Sequence, residues 1–318
     1  MNRRKLMFVV FLSLCLAFAS GCVDGQEVSA SSADKPVVVV SIQPEAEFVE
    51  KVAGDQVKVM VMVPPGADPH SYEVTPGQLR ELSDADMYVK VGSGLDFEKV
   101  WMDRLIAVNP GMLVVDASSG IQLRTMEAHS HEESEEEHDA EEGHEGEEEH
   151  DAEESDGSKD PHIWTSPQEA QIMVENIYDG LVEIDPDNAE LYTQNKNAYI
   201  AELQAADARI KETLAGKEGS SFMVYHPSWG YFADEYGLEE ISVEIEGKEP
   251  SVQDMRNLID TAKEKNIKVI FVQSGFSTTS AQTIADEIDG EVIQVDPLAK
   301  GYIDNLANVT AAFEKGLA

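Results

Sequence analysis

The chain is expected to fold as an α/β protein of two similar lobes, each a parallel sheet flanked by helices, joined by one long rigid helix. Three observations lead there. Short β-branched runs alternate with helical stretches, the runs fall into two sets of four, and one long helix-forming segment separates the sets. The first set is 36–42, 57–63, 87–91 and 112–116, each bounded by Gly, Pro or Asp; the second is 221–226, 241–245, 267–273 and 291–296. Helical stretches such as 45–53, 76–85, 252–265 and 280–288 lie between them and supply the crossovers that parallel strands need. In the middle, Asp185-Pro186 reads as a cap with a first-turn proline and Gly216 as a stop. Within that span Tyr192, Tyr199, Leu203, Ala206, Ile210 and Leu214 recur at seven-, four- and three-residue steps, which makes one apolar stripe. A helix of about 30 residues runs some 45 Å at 1.5 Å per residue, too long for one small lobe, so it is read as a strut along both.

The expected organisation is a signal peptide at 1–21, a tether at 22–35, a first lobe at 36–184, the strut at 185–216 and a second lobe at 217–318. The basic start Asn2-Arg3-Arg4-Lys5, an apolar run from Leu6 to Ala19 and the small residues before Cys22 describe an export signal. Ala19-Ser20-Gly21-Cys22 is similar to a prokaryotic lipobox, which makes Cys22 the expected lipid anchor at the outer face of the cell membrane. Both cysteines, Cys15 and Cys22, lie in this leader. The folded part therefore has no disulfide and no thiolate metal site.

The 318 residues carry a net charge of −39, which disfavours nucleic acid and anionic lipid and favours cations. Residues 127–160 hold 18 acids and one lysine, a net −17 with almost no apolar residue. Such a run cannot bury a core, so it is expected to be a disordered loop inserted in the first lobe. Five of the eight histidines, His129, His131, His138, His144 and His150, stand in it and would bind additional ions weakly.

The other three are His70, His162 and His226. His70 lies in Pro64-Pro65-Gly66-Ala67-Asp68-Pro69-His70-Ser71-Tyr72, after the second run; His226 closes the fifth; His162 sits in Asp160-Pro161-His162-Ile163-Trp164 before a helix near Ser166-Pro167. Asp296, in Asp296-Pro297-Leu298-Ala299, follows the last run. Ligands of parallel α/β sheets bind beyond the carboxyl ends of strands. Singly, a histidine at a strand end is more often structural and an aspartate before proline more often a turn former. Together, three imidazoles and one carboxylate drawn from both lobes would close a four-coordinate site. Zinc fits this set better than manganese, which favours oxygen-rich shells.

These motifs, in this order and over nearly the whole mature chain, resemble the metal-binding lipoproteins of the zinc/manganese class of ABC importers. These are the cluster A-I solute-binding proteins, and the likeness is nearest to their zinc-specific branch. Ser41-Ile42-Gln43-Pro44, Tyr225-His226-Pro227-Ser228-Trp229-Gly230-Tyr231-Phe232 and Phe276-Ser277 extend it. The resemblance implies the ligands His70, His162, His226 and Asp296, with His226 at the position where manganese proteins carry Glu. Ala299 departs from the family's usual Gly, and Val272-Gln273-Ser274-Gly275 from its usual Glu-Pro-Gln. The implied function is an exported, monomeric zinc receptor, not an enzyme, delivering Zn²⁺ to a permease with its cytoplasmic ATPase. The alternatives are a manganese or iron receptor, an extracellular zinc buffer or adhesin, and a metallohydrolase using an open fourth place. No zincin-type His-Glu-x-x-His stretch supports the last.

Overall fold

The computed structural model describes residues 35–126, 159–245 and 247–317. The leader with Cys22 and the run bearing His129, His131, His138, His144 and His150 lie outside the described residues.

The first half proceeds β1 (Val37–Val40), α1 (Gln43–Ala53), β2 (Lys58–Val61), α2 (Pro76–Leu82), β3 (Met87–Lys90), α3 (Asp96–Val108), β4 (Leu113–Asp116) and α4 (Pro167–Ile184). After α5 (Ala189–Thr213) come β5 (Ser221–Val224), α6 (Gly230–Tyr236), β6 (Glu239–Ser242), α7 (Val252–Glu264), β7 (Val269–Gln273), α8 (Thr279–Glu287), β8 (Glu291–Val295) and α9 (Tyr302–Gly316). Each lobe holds one four-stranded sheet, ordered β2-β1-β3-β4 and β6-β5-β7-β8, with every pairing parallel. Both sheets thus put their first strand inside, and all strand ends of one sense face the same way. The β-branched run Val38–Val40 is wholly buried, as an interior strand covered on both faces must be.

Helix starts follow local chemistry. Thr75 and Gln78 form a reciprocal cap on α2, and Ser251 and Asp254 do the same on α7. Ser166 accepts from the amides of Gln168 and Glu169 at the start of α4.

The linking helix is shorter than its sequence signals suggest. Asp185 ends α4 instead of capping α5; its carboxylate accepts from Asn188 Nδ2 (2.8 Å) and Tyr192 Oη (2.6 Å). Pro186 opens a single 3₁₀ turn, Pro186–Asn188, and the α-helix spans 25 residues. The apolar stripe is where it was expected, since Tyr192, Tyr199, Leu203, Ala206, Ile210 and Leu214 are all buried. The helix touches both lobes: Asn195 donates to Val52 O on α1 (3.0 Å), and Asp207 accepts from Tyr236 Oη on α6 (3.0 Å).

The core is less divided than two lobes imply. One continuous apolar cluster joins Val38, Phe48 and Tyr88 of the first lobe to Phe222, Phe271 and Phe313 of the second. A separate cluster, including Ile241, Leu258, Ile270 and Ile284, fills the far face of the second sheet beneath α7 and α8. No helix among the described residues is long and apolar enough to cross a membrane.

Candidate metal centre

Three loops at strand ends and one turn before a helix meet between the sheets. His70 stands on the loop after β2, His226 two residues past β5, Asp296 directly after β8, and His162 caps the 3₁₀ turn Ile163–Thr165 ahead of α4. One nitrogen from each of His70, His162 and His226 can be chosen so that all three lie within 4.8 Å of one another. Ring centroids are 5.5 Å apart for His70 and His162, 4.7 Å for His70 and His226, and 5.2 Å for His162 and His226.

Which nitrogens converge is settled by what holds the others. Each ring turns Nδ1 onto a carboxylate: Asp96 Oδ2 for His70 (2.9 Å), Asp160 Oδ1 for His162 (2.9 Å) and Glu244 Oε1 for His226 (2.6 Å). An ionised carboxylate can only accept, so Nδ1 carries the proton and the lone pair of a neutral ring is left on Nε2. His162 Nε2 and His226 Nε2 face each other at 3.3 Å. Two nitrogens bound to one tetrahedral zinc at about 2.0–2.1 Å would stand about 3.3–3.4 Å apart. The donor set and spacing fit the ion, and three carboxylate–imidazole pairs are the arrangement that fixes ring orientation and raises ligand basicity.

Burial sets the protonation state. His162 is 2% exposed, and this burial, outweighing the opposing pull of Asp160, drives its pKa down to about 4. The ring is neutral at physiological pH, as a ligand must be. Asp96 is lowered to about 2, first by its hydrogen bond with His70. Asp160 is held below the usual carboxylate range by its bonds to His162 and Arg124, which outweigh its burial. Arg124 Nη1 donates to Asp160 Oδ2 (2.8 Å), and its Nε donates to Asp234 Oδ2 (2.8 Å). Gly230 is required beside this pair, because a Cβ there would stand 1.5 Å from Arg124 Nη1.

Asp296 lines the same cavity as the three imidazoles but is not in the tight donor cluster; its Oδ1 accepts from Leu298 N (2.8 Å). The cavity is about 30 Å³ and is walled also by Phe276, stacked on His226 at 5.2 Å, and by Trp164. That volume holds an ion with a water or two and excludes an organic ligand. A larger open hollow of about 620 Å³ beside α1 and α5 contains no imidazole, and its Lys51 and Lys300 are paired with Glu202 and Glu50.

The sequence reading missed Asp96 and Glu244, which lie 26 and 18 residues from the rings they orient. It placed Asp160 at the end of the disordered run. That placement is corrected: Asp160 is 1% exposed, its amide donates to Arg124 O (3.0 Å), and Lys159 bridges to Thr125. The Asp-x-His spacing, which lets one carboxylate meet both the amide and the ring of His162, was the available signal.

Comparison with known proteins decides the family. The profile described as ZnuA, zinc-uptake complex component A, periplasmic, matches residues 38–316. The chain belongs to that family. It is 35% identical to the high-affinity zinc uptake system protein ZnuA of Bacillus subtilis, over 94% of this chain and 92% of the relative. A crystal structure of ZnuA superposes with a TM-score of 0.79 at 38% identity, covering 90% of this chain and all of that one. The manganese-binding lipoprotein MntA of Halalkalibacterium halodurans is more distant, 28% identical over 99% of each chain. The two-lobed parallel fold and the zinc-specific assignment both follow, and the family is one of metal-transport receptors, not of enzymes.

Proposed function

We propose that the chain captures one Zn²⁺ outside the cytoplasm between His70, His162, His226 and Asp296 and delivers it to the permease of an ABC importer. The observation that carries this reading is the convergence of three imidazoles, each with Nδ1 committed to a carboxylate, on a cavity of ionic size. Three neutral nitrogens favour zinc over manganese, which prefers harder donors. The ion binds groups from both lobes at once, so capture ties the His226 loop to the His70 loop. The continuous core and α5 restrict the lobes, which leaves the cleft loops as the surface by which a permease would tell loaded from empty receptor.

Two further parts of the reading concern segments outside the described residues. Cys22 is proposed as the lipid anchor holding the receptor, a monomer, at the outer face of the membrane. The five loop histidines are proposed to raise local Zn²⁺ without being needed for the cleft site.

Competitive titration with Zn²⁺ and Mn²⁺ on the full chain and on a deletion of 127–158 tests the assignment. The deletion stops at Ser158 because Lys159 and Asp160 belong to the folded body. One tight zinc site is expected in both proteins, with weaker sites lost on deletion. Tighter binding of Mn²⁺, or loss of the tight site with the loop, overturns the reading.

A further inference from the structure

The turn that carries Asp296 leaves a strand of the second lobe but is fastened to the first. Trp164, two residues after His162 and 1% exposed, donates its indole Nε1–H to Pro297 O at 2.8 Å. Its ring meets the His162 imidazole edge-on, with centroids 5.3 Å apart and planes at 63°. Tyr302 Oη donates back to Trp164 O at 2.7 Å. Glu47 of α1 accepts from the amides of Gly301 and Tyr302, both at 2.7 Å. From its own lobe the turn receives Asn305 Nδ2 on Asp296 O (2.7 Å) and the internal bond from Leu298 N to Asp296 Oδ1.

The consequence is geometric. The internal bond fixes the direction of the Asp296 carboxylate within its turn, and the indole bond fixes the turn against the residue that also packs on His162. The distance from that carboxylate to the imidazoles is therefore referenced to the first lobe. We propose that Trp164 is a positioning residue that sets the Asp296 carboxylate against the three imidazoles, so that the fourth zinc place is filled by an acid and not by water. This rests on Asp296 being a ligand, and the test separates the two.

Zinc affinity is measured by competition with a chelating dye on the full chain and on Asp296→Ala, Trp164→Phe and their double variant. Asp296→Ala and Trp164→Phe should each weaken binding about tenfold or more, the range seen when groups orienting metal ligands are removed. The double variant should bind no more weakly than Asp296→Ala alone. Trp164→Phe combined with Asp96→Asn, which acts at a different corner, should multiply the two losses. Phenylalanine keeps a ring in the pocket; Tyr302→Phe, which removes only the hydroxyl that holds the same turn, goes through the same cycle and covers the case in which Trp164→Phe does not fold. Unchanged affinity in Trp164→Phe while Asp296→Ala is weakened, or losses that multiply in the double variant, overturns the proposal. Full affinity in Asp296→Ala removes the ligand reading itself and the proposal with it.

Discussion

The two lobes have one topology and use it differently at the cleft. In the first, the interior strand β1 leads to Ser41, which bonds Tyr88 Oη and Glu98, and the imidazole of His70 comes from the loop after the edge strand β2. In the second, the interior strand β5 leads to His226, and the segment after the edge strand β6 supplies Glu244, the carboxylate that holds it. The equivalent ends of β2 and β6 thus carry an imidazole of the cluster in one lobe and a carboxylate that holds an imidazole in the other. The fold offers positions where loops converge; residue type alone decides which become donors. The three supporting carboxylates also differ in exposure, within the first lobe as well as between the two. The side chain of Asp96, which holds His70, is 49% exposed, whereas Asp160 is at 1% and Glu244 at 7%. His70 is likewise the most open of the three rings, its side chain 23% exposed against 3% for His162 and 11% for His226.

That contrast is broken most directly by removing charge from the supports one at a time. Asp160→Asn should lower zinc affinity toward the upper part of the roughly 10–100-fold range for such partners, because it also strips Arg124 of a buried bond. Asp96→Asn should cost less, near the lower end, since water can reach its place. Equal losses in a chelator competition would show that burial does not rank the three pairs.

The same burial can be read by titration. In metal-free protein the His162 ring should remain neutral until about pH 4, whereas an exposed histidine protonates near 6.5. Between those values protons do not compete with the ion for His162, so zinc affinity should fall with acidification by fewer protons per ion than three free imidazoles would require. Histidine NMR across pH 3.5–8 checks this on the full chain, and a His162 midpoint near 6.5 would mean that the ring is open to water in solution.

Much of this was legible from residues alone, and the reason is that the signals were local. The eight strands among the described residues each overlap a run picked out in the sequence, β6 by only two residues since it spans Glu239–Ser242 against the expected 241–245, and the three converging histidines each sit beside a proline turn. The helices α3 and α6 were not legible in the same way. α6, unlike the equally short α2, has no side-chain cap, and α3 begins at Leu95-Asp96 without one; its start is held instead by Phe97 N on Pro69 O. Asp96 depends on that long-range contact for its place beside His70, so no window of sequence could pair them. Asp160 was lost for the opposite reason: its composition matched the acidic run before it, and composition outweighed the Asp-x-His spacing.

A last comparison returns to the start of the first helix in each lobe. Glu45 is fully buried and takes the amides of Ser41 and Ile42 on one oxygen, at 3.0 and 3.2 Å. In the second lobe Glu240 arrives from β6 and takes the amides of Ser228 and Trp229 on one oxygen, at 3.1 and 2.8 Å. Burial raises both acids, Glu240 to about 8 and Glu45 well above its usual range. For Glu240 the folded chain keeps a proton that the unfolded chain releases near 4.5, so its contribution to stability is present at acid pH and is lost as pH rises toward about 8. A glutamine can accept both amides on its single oxygen and carries no charge to neutralise. Glu240→Gln should therefore leave zinc affinity unchanged and gain stability over the unsubstituted protein as pH rises from about 4.5 to about 8, by a few kcal/mol at most. Glu45→Gln should follow with the same sign. Urea midpoints at several pH values measure the difference, and a gap that stays constant with pH would show that Glu240 is ionised in the folded chain, with Arg124 close enough to hold its charge.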